Sequence, residues 1–320
     1  MHNDIVNNIK KYNKVYIMPH IHIDLDALGA SLGIYKLIES FGLEPCIIID
    51  ETKYELGVKR ALETIKNSNI NIKKLFSSNI SSEDLIVVVD CNKKNMVQNK
   101  EIFSLCNNVL IIDHHIENKD TINTVYKYID VDCSSACEII TDLLVENNVV
   151  VNRTVADIML AGITIDTNNF TIKTKPSTHE AAFKLGEMGA DSKNVLYLLK
   201  EDIKEFIDMQ KVIFDTEIIN NVYAVCVGDK NTIYKKEQLS KIADNMLTFD
   251  KIEASFCICK INTNIIGISA RSLGNIDIED IMSRLNGGGN KYEAACMMYN
   301  VSIETAKEKL INILMEGKWK

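Results

Sequence analysis

Histidine and aspartate residues recur at four places along the chain, and each place lies at or just after the end of an apolar segment. The four places are His20–Asp26, Asp90, Asp113–His115 and Asp166. Carboxylate oxygens suit Mg²⁺ and Mn²⁺, and imidazole suits borderline metals, so a mixed set of ligands favours Mn²⁺. Two such ions, about 3.5–4 Å apart, can clamp the attacking and leaving oxygens of a phosphoryl displacement. The residue types therefore predict a two-metal phosphoesterase site.

The apolar segments that precede these residues have the length and composition of buried parallel strands. They are Lys14–Met18, Leu85–Val89, Val109–Ile112 and Ile158–Ile165. Functional groups of open α/β sheets collect outside the carboxyl ends of the strands, so we expect the four places to converge. A single aspartate after a strand is more often a helix N-cap than a ligand, but four places in this order favour a site. The predicted fold class is α/β, with a parallel sheet and helices on both of its faces.

The spacing suggests roles for several of these residues. Asp24 and Asp26 lie two residues apart on a turn that enters a helix, so we expect them to face neighbouring metals. His20 and His114 are the expected nitrogen ligands. His115 is expected to face the substrate, as a phosphate contact or a general acid.

Other residues near the motifs have two alternative roles or fall outside the ligand set. Asp90 and Asp166 are both candidates for a carboxylate that bridges the metals, and spacing does not decide between them. His22 is expected beside the ligands. His179, in a helix after Pro176, is expected to be a solvated side chain.

The C-terminal part of the chain predicts a second, smaller α/β domain with a mixed sheet. Its strand-length apolar runs are Val222–Val227, Ala254–Cys259 and Ile265–Ser269. The glycines Gly287, Gly288 and Gly289 precede a predicted helix at Asn290–Ala295, where backbone amides could approach a phosphate. A flexible loop is the alternative, but the guanidinium of Arg271 suits phosphate oxygens and favours a phosphate cradle.

The order of these motifs resembles the DHH family of phosphoesterases with its DHH-associated C-terminal domain. The resemblance rests on His-x3-Asp-x-Asp-Ala-Leu-Gly from His20, then Asp90, Asp113-His114-His115, Asp166 and the glycine motif. The segments Gly162–Thr171, Ser269–Asp277 and Ile281-Met282 are most similar to the catalytic part of GdpP-type cyclic di-AMP phosphodiesterases.

The resemblance implies a Mn²⁺-dependent hydrolase that opens cyclic di-AMP to linear pApA with two Mn²⁺ ions, Mg²⁺ or another divalent ion being alternatives. It also implies a homodimer, and a C-terminal domain that holds the rest of the nucleotide. The metal ligands it implies are His20, Asp24, Asp26, Asp90, His114 and Asp166. The resemblance also implies that Asp113 and His115 are catalytic residues and that Asp113 lies beside the metals. The substrate contacts it implies are Arg271, Ser272, Gly287, Gly288, Gly289 and Asn290.

Two departures from the family pattern leave the substrate open. Asn290 stands where the family usually has His, and Ile116-Glu117 stands where the cyclic di-AMP branch tends to have basic residues. Asn donates hydrogen bonds but cannot become cationic. An enzyme that acts on very short oligoribonucleotides, pApA or pAp is therefore the second hypothesis, and a catalytically silent nucleotide sensor is the third. The sequence does not decide whether pApA is cut further to AMP.

Length predicts two domains, since 320 residues are roughly twice a typical domain. We expect a catalytic domain over 1–190, a helical connector over 191–220 and a substrate-binding domain over 221–320. Leu185–Ile219 reads as amphipathic helix, which favours a helical connector over a disordered linker.

Charge, apolar content and cysteine usage indicate which kinds of partner the protein binds and in which compartment it is found. A net charge of −8 disfavours long nucleic acids, which are bound mainly through basic surface, and suits a short nucleotide. No apolar run approaches the roughly 18 residues needed to cross a membrane, and no secretory signal is visible. The nine cysteines show no metal-binding spacing, and Cys133 and Cys137 are expected to lie along one helix. Reduced, mostly buried thiols and a cytoplasmic location are therefore expected. Membrane-bound relatives carry further segments ahead of this unit, so the chain is either a stand-alone form or part of a longer protein.

Overall fold

The computed structural model describes residues 2–74 and 80–316. The chain divides into two compact units, Met1–Glu201 and Asp202–Lys320. No helix in the described ranges combines the length and the apolar character that a membrane span requires. The division falls inside the predicted connector, 191–220.

The first unit is built on a parallel sheet of six strands in the order β3-β2-β1-β4-β5-β6. The strands are β1 (Val15–Met18), β2 (Cys46–Ile48), β3 (Ile72–Lys73), β4 (Leu85–Val89), β5 (Asn108–Asp113) and β6 (Tyr126–Ile129). The helices are α1 (His2–Ile9), α2 (Leu25–Ser40), α3 (Leu56–Ile65), α4 (Lys100–Leu105), α5 (Ala136–Glu146), α6 (Arg153–Asp166), α7 (Pro176–Glu187) and α8 (Ser192–Leu199).

Both faces of this sheet are covered, because side chains alternate along each strand. Val87 and Val89 on β4 pack into the core that contains α2, α5 and α6. Ile86 and Val88 point the other way, into the core beneath α4. Every residue of β4 is buried, which explains its uninterrupted apolar sequence. The predicted α/β class, with helices on both faces of a parallel sheet, is confirmed.

The predicted strand at Ile158–Ile165 is wrong. These residues lie inside α6, and Asp166 is the last residue of that helix rather than a residue that follows a strand. Helix α6 is buried against α2, α5, α7 and α8, so it is apolar around most of its circumference and resembles a buried strand in sequence. A Cβ on Gly162 would lie 2.8 Å from the Asp26 Cα, so glycine allows α6 to approach the start of α2 closely.

The second unit contains a mixed sheet in the order β11-β12-β10-β9-β8-β7, in which only the β8–β9 pair is parallel. Its strands are β7 (Glu217–Ile219), β8 (Tyr223–Val227), β9 (Ala254–Asn262), β10 (Ile265–Ser272), β11 (Gly288–Gly289) and β12 (Glu293–Tyr299). Its helices are α9 (Ile203–Phe214), α10 (Lys236–Met246), α11 (Ile278–Ser283) and α12 (Ile303–Glu316). The predicted mixed sheet is confirmed.

Two local predictions about helices need correction. Leu185–Ile219 is not helical throughout, because α7, α8 and α9 are followed by strand β7, whose residues pair with β8. Cys133 lies before α5, and only Cys137 lies in that helix. The cysteines are all free thiols, and Cys133 alone is less than fully buried, which confirms the expected burial.

The predicted helix at Asn290–Ala295 is also wrong, because β11 and β12 form an antiparallel hairpin there. Gly289 has φ +154°, and a Cβ at this position would overlap the carbonyl oxygen of Glu293. A Cβ on Gly287 would overlap the carbonyl oxygen of Ala295, whereas Gly288 faces open space. Two of the three glycines are therefore required by the close approach of two strands, not by the start of a helix.

The hairpin generates a prediction about these glycines. Gly289→Ala should destabilise the second unit by about 1–3 kcal/mol, because the new methyl group has no room beside β12. Gly288→Ala is the matched control and should leave the midpoint of thermal unfolding unchanged. Equal midpoints for the two variants would contradict the hairpin geometry.

Candidate active site

Six of the predicted ligands converge at one edge of the parallel sheet. His20 follows β1, Asp90 follows β4, and His114 follows the last residue of β5. Asp24 is the N-cap of α2 and Asp26 lies in its first turn. Asp166 reaches the same place from the C-terminal end of α6. Asp166 was predicted to follow a strand and instead ends a helix. It nevertheless lies close to Asp26 and His114, within the same cluster of predicted ligands.

The ligands form two groups that share one aspartate. In the first group, His20 Nε2 lies 3.3 Å from Asp90 Oδ2 and 3.7 Å from Asp24 Oδ2. In the second group, His114 Nε2 lies 3.3 Å from Asp90 Oδ1 and 3.4 Å from Asp166 Oδ2. The Oδ2 atom of Asp26 lies 3.9 Å from the same histidine nitrogen. Asp90 thus presents a different carboxylate oxygen to each group.

Asp90 occupies an unusual backbone conformation at the centre of this arrangement. Its φ is +54°, in the left-handed region, and its amide donates to the carbonyl oxygen of Ile112 at 3.0 Å. Residues other than glycine with a positive φ are uncommon outside turns, and they cluster at functional sites. The neighbouring strand β5 therefore helps to fix the direction in which the Asp90 carboxylate points.

Two buried ligand atoms at this centre lack hydrogen-bond partners. They are Asp90 Oδ1 and His114 Nε2, which face each other without a hydrogen bond. Buried polar atoms are normally paired, so an unpaired acceptor and an unpaired imidazole nitrogen indicate an additional binding partner. Carboxylate and imidazole are ligands for divalent metals, and the residues present therefore fit a metal ion here.

The electrostatics of the site also indicate a cation. Burial and then the Asp90 carboxylate raise the pKa of Asp26 to about 7. Burial and the carboxylates of Asp26 and Asp24 raise the pKa of Asp166 well above its usual range. Both shifts arise because carboxylates crowd together out of water.

The histidines respond in the opposite direction. Burial disfavours the charged ring of His20, but the carboxylates of Asp24 and Asp90 outweigh burial and raise its pKa to about 12. Burial also disfavours the charged ring of His114. The neighbouring carboxylates, Asp90 above all, outweigh this effect and raise the pKa of His114 to about 10. Burial of Asp90 is outweighed by these two histidines, which hold its pKa below the usual range. The crowded carboxylates thus strongly favour positive charge at this site, on the histidine rings or on a bound cation.

Asp26 receives further support from the start of α5. It is fully buried, and its carboxylate accepts hydrogen bonds from the amides of Ala136 at 2.7 Å and Cys137 at 2.8 Å. The unpaired amides at a helix N-terminus carry partial positive charge and bind anions well. The sequence Ser135-x-x-Glu138 is a capping-box pattern that predicts this helix start, and it is the signal that could have identified the contact.

Asp113 and His115 form a pair beside the predicted metal ligands. The Asp113 carboxylate is fully buried, and its Oδ1 lies 2.8 Å from His115 Nδ1 and accepts the amide of His114 at 2.9 Å. His115 Nδ1 lies 3.6 Å from Asp90 Oδ1, and its side chain is 57% exposed. A buried carboxylate therefore orients an accessible imidazole next to the ligand groups.

Two other histidines, His22 and His179, lie where the sequence predicted. His22 is exposed on the turn next to His20. His179 is exposed on α7 and stacks on Phe170 with ring centroids 5.5 Å apart.

The predicted substrate contacts of the second unit have partners of their own. The Nε atom of Arg271 lies 2.9 Å from Asp244 Oδ1, and its Nη1 donates to the carbonyl oxygen of Ala270 at 3.0 Å. Ser272 is buried, and its hydroxyl donates to the carbonyl oxygen of Ile276 at 2.9 Å. The Ser272 hydroxyl is thus engaged within the domain.

Asn290 organises the turn of the β11–β12 hairpin. Its Oδ1 accepts hydrogen bonds from the amides of Tyr292 at 2.8 Å and Glu293 at 3.0 Å. Asn290 therefore has a structural role within the hairpin, in addition to the substrate contact predicted from the sequence. Among the three glycines, Gly288 has open space in front of its Cα.

Three polar residues that hold the site together are not marked by any pattern in the sequence. Asn92 is buried and donates from Nδ2 to the carbonyl oxygen of His115 at 3.0 Å. Glu51 and Gln98 bind the turn that carries His20. These residues lie after β2 and between β4 and α4, where no spacing rule connects them to the ligands.

Two family models match the chain. The DHH family, N-terminal domain matches residues 14–163, and the DHHA1 domain matches residues 220–316. The chain belongs to the DHH family. The DHH match includes every predicted ligand except Asp166, and the DHHA1 match includes Arg271 and the hairpin glycines.

Curated relatives share this two-domain content. The chain is 33% identical over 320 residues to the cyclic-di-AMP phosphodiesterase PdeA of Listeria monocytogenes, covering 98% of this chain and 49% of that protein. It is 33% identical over 310 residues to the cyclic-di-AMP phosphodiesterase GdpP of Geobacillus thermodenitrificans, covering 94% of this chain and 47% of that protein. The chain thus spans about half the length of these relatives.

A third relative is matched along nearly its whole length. The bifunctional oligoribonuclease and PAP phosphatase NrnA of Mycoplasma genitalium is 26% identical over 320 residues, covering 93% of this chain and 92% of that protein. Among solved structures, an exopolyphosphatase-related protein from Bacteroides fragilis has a TM-score of 0.81 at 18% identity, covering 98% of this chain and 95% of that one. This likeness shows that the DHH-family chain has a known fold.

The shared position of Asp90 generates a prediction about metal binding. Free Mn²⁺ at 100 times its dissociation constant should stabilise the wild type by about 2.7 kcal/mol per site. Asp90→Asn should lose most of this stabilisation, because the amide removes the charge that both groups share, while Asn still tolerates φ +54°.

The measurement is the shift of the thermal unfolding midpoint on addition of Mn²⁺. Asp120→Ala, at an exposed position, is the control and should respond like the wild type. A full Mn²⁺ response in Asp90→Asn would show that Asp90 is not a shared ligand.

Proposed function

We propose that this DHH-family chain hydrolyses phosphodiester bonds at a site for two divalent metal ions. The observation that carries the proposal is the shared carboxylate, in which Asp90 Oδ2 faces His20 and Asp90 Oδ1 faces His114. In this proposal Asp90, rather than Asp166, is the bridging ligand. His20, Asp24 and Asp90 would hold the first ion, and Asp26, Asp90, His114 and Asp166 would hold the second.

Mn²⁺ is the proposed metal, because two imidazoles and four carboxylates form a mixed nitrogen and oxygen set. When bound, two such ions activate a water molecule and stabilise charge on the phosphoryl oxygens. The protein supplies the geometry. The α5 amides fix the direction of the Asp26 carboxylate, and the left-handed backbone at Asp90 aims its two oxygens at different groups.

His115 is the proposed general acid. Its Nδ1 lies within hydrogen-bond distance of Asp113 Oδ1, so Nδ1 carries a proton and the opposite nitrogen, Nε2, is directed away from the carboxylate. A proton on Nε2 would pass to the leaving oxygen as the phosphorus–oxygen bond breaks. Asp113 orients the imidazole, because its carboxylate is fully buried and its Oδ1 lies 2.8 Å from the ring nitrogen Nδ1.

Cyclic di-AMP is the substrate we propose. Support comes from the 33% identity to two cyclic-di-AMP phosphodiesterases, which extends over nearly all of this chain. The net charge of −8 also suits a short nucleotide better than a long one. Arg271 is the proposed contact for a phosphate or another anionic group of the substrate, and the open space at Gly288 allows close approach of a ligand to the backbone.

A second candidate is hydrolysis of very short oligoribonucleotides, pApA or pAp. The observation that favours it is the match to the NrnA protein, which covers 92% of that relative. The use of Asn290 Oδ1 within the hairpin turn also leaves only the uncharged Nδ2 group of this side chain for a substrate.

Initial rates with cyclic di-AMP, pApA, pAp and cyclic di-GMP test these assignments directly. We expect Mn²⁺-dependent opening of cyclic di-AMP to be the fastest reaction and to stop when a chelator is added. Faster cleavage of pApA or pAp would assign the chain to the second function. Binding of metal without turnover of any of the four would overturn the proposal of an enzyme.

Arg271 generates a quantitative prediction. Arg271→Ala should raise the KM for cyclic di-AMP roughly 10- to 150-fold, because loss of one charged hydrogen bond costs about 1.5–3 kcal/mol. The value of kcat should change less than KM. Lys211→Ala, which removes an exposed positive charge from α9, is the control and should leave KM unchanged. A large loss of kcat with an unchanged KM would contradict the binding role of Arg271.

A further inference from the structure

The turn that carries His20 and Asp24 is held by backbone and side-chain hydrogen bonds, and on the backbone side the amide of Ile21 donates to the carbonyl oxygen of Met96 at 2.6 Å. His22 adopts φ +59° in this turn, which is an uncommon conformation for a residue other than glycine. The amides of His22 and Ile23 donate to the carboxylate of Glu51 at 3.1 Å and 2.9 Å. A side chain from another segment therefore satisfies the turn that presents two metal ligands.

Gln98 connects this carboxylate to the turn from the other side. Its Nε2 donates to the carbonyl oxygen of His20 at 2.6 Å and to Glu51 Oε1 at 2.7 Å. Its Oε1 accepts the amide of Asp50 at 3.0 Å, and its own amide donates to the carbonyl oxygen of Pro19 at 3.2 Å. Gln98 is buried, so one side chain ties together the segments that follow β1, β2 and β4.

The chemistry of this network requires an amide at position 98 and a carboxylate at position 51. The Nε2 group of Gln98 faces two acceptors, and a glutamate there would place oxygen against both. The Glu51 carboxylate accepts from three donors, and an amide there would turn its own N–H groups towards one of them. Neither residue belongs to the ligand groups around Asp90.

The second ligand group depends on other parts of the first unit. Asp26 is held by the α5 amides, His114 follows β5, and Asp166 lies at the end of α6. The network of Glu51 and Gln98 therefore acts on the turn with His20 and Asp24, while the second group has its own supports.

We propose that Glu51 and Gln98 are positioning residues that set the metal affinity of the group His20, Asp24 and Asp90 independently of the second group. This inference rests on the proposed two-metal function. Residues that orient metal ligands typically contribute 10- to 100-fold to affinity, and here the contribution falls on one of two sites. The two metals would then differ in how readily they exchange.

Calorimetric titration of the metal-free full chain with Mn²⁺ tests the proposal. Wild type should bind two ions per chain. Gln98→Glu should weaken one site at least tenfold and leave the other within about threefold, since the new carboxylate repels Glu51 and releases the His20 carbonyl. Glu51→Gln should change the same site by a smaller factor, because its remaining oxygen can still accept a hydrogen bond. Gln238→Glu, which makes the same substitution on α10, is the matched control and should retain both sites.

Gln98→Met separates lost hydrogen bonds from added charge, and it serves if Gln98→Glu does not fold. It should also weaken a single site, and the midpoint of thermal unfolding of the metal-free protein shows whether each variant is folded. Equal weakening of both sites in folded variants, or no change in either site, would overturn the proposal. If wild type itself fails to bind two ions, the proposed two-metal function fails instead, so the two failures are distinguishable.

Discussion

The repulsion among four aspartates at one edge of the parallel sheet is the constraint on which the rest of the site depends. Asp24 and Asp90 lie within 3.7 Å of His20. Asp26, Asp90 and Asp166 lie within 3.9 Å of His114. Like charges this close and this buried oppose ionisation, as the raised pKa of Asp26 shows. The arrangement is stable as a set of carboxylates only if positive charge is supplied, by protonated histidine in the free protein or by metal ions.

Several separate structural features hold the aspartates together despite this repulsion. The α5 N-terminus compensates Asp26 with two backbone amides, and Gly162 lets α6 approach closely enough to bring Asp166 within reach. The left-handed backbone at Asp90 directs its carboxylate between the two histidines. Each feature comes from a different segment, so the site forms only when the first unit is folded.

Sequence patterns predicted the elements that carry a simple signal. Strands β1, β4 and β5 are continuous apolar runs because both faces of the parallel sheet are covered, and the candidate ligands that follow them could therefore be placed at one sheet edge. The same rule failed for α6, since a helix buried on most sides is also continuously apolar. The glycines before Asn290 were read as the start of a helix, although two of them are required by strand contact, because glycine marks close approach without specifying its geometry. Glu51 and Gln98 could not be predicted, because their contacts with the His20 turn are set by tertiary packing alone.

The central claim is that one carboxylate, Asp90, joins two metal sites, and the electron paramagnetic resonance spectrum of the protein loaded with two equivalents of Mn²⁺ tests it most directly. Two Mn²⁺ ions that share a carboxylate are about 3.5–4 Å apart, so their spins should couple. The wild-type protein should give the spectrum of an exchange-coupled pair of Mn²⁺ ions. A spectrum of two magnetically isolated Mn²⁺ ions at full occupancy would contradict it.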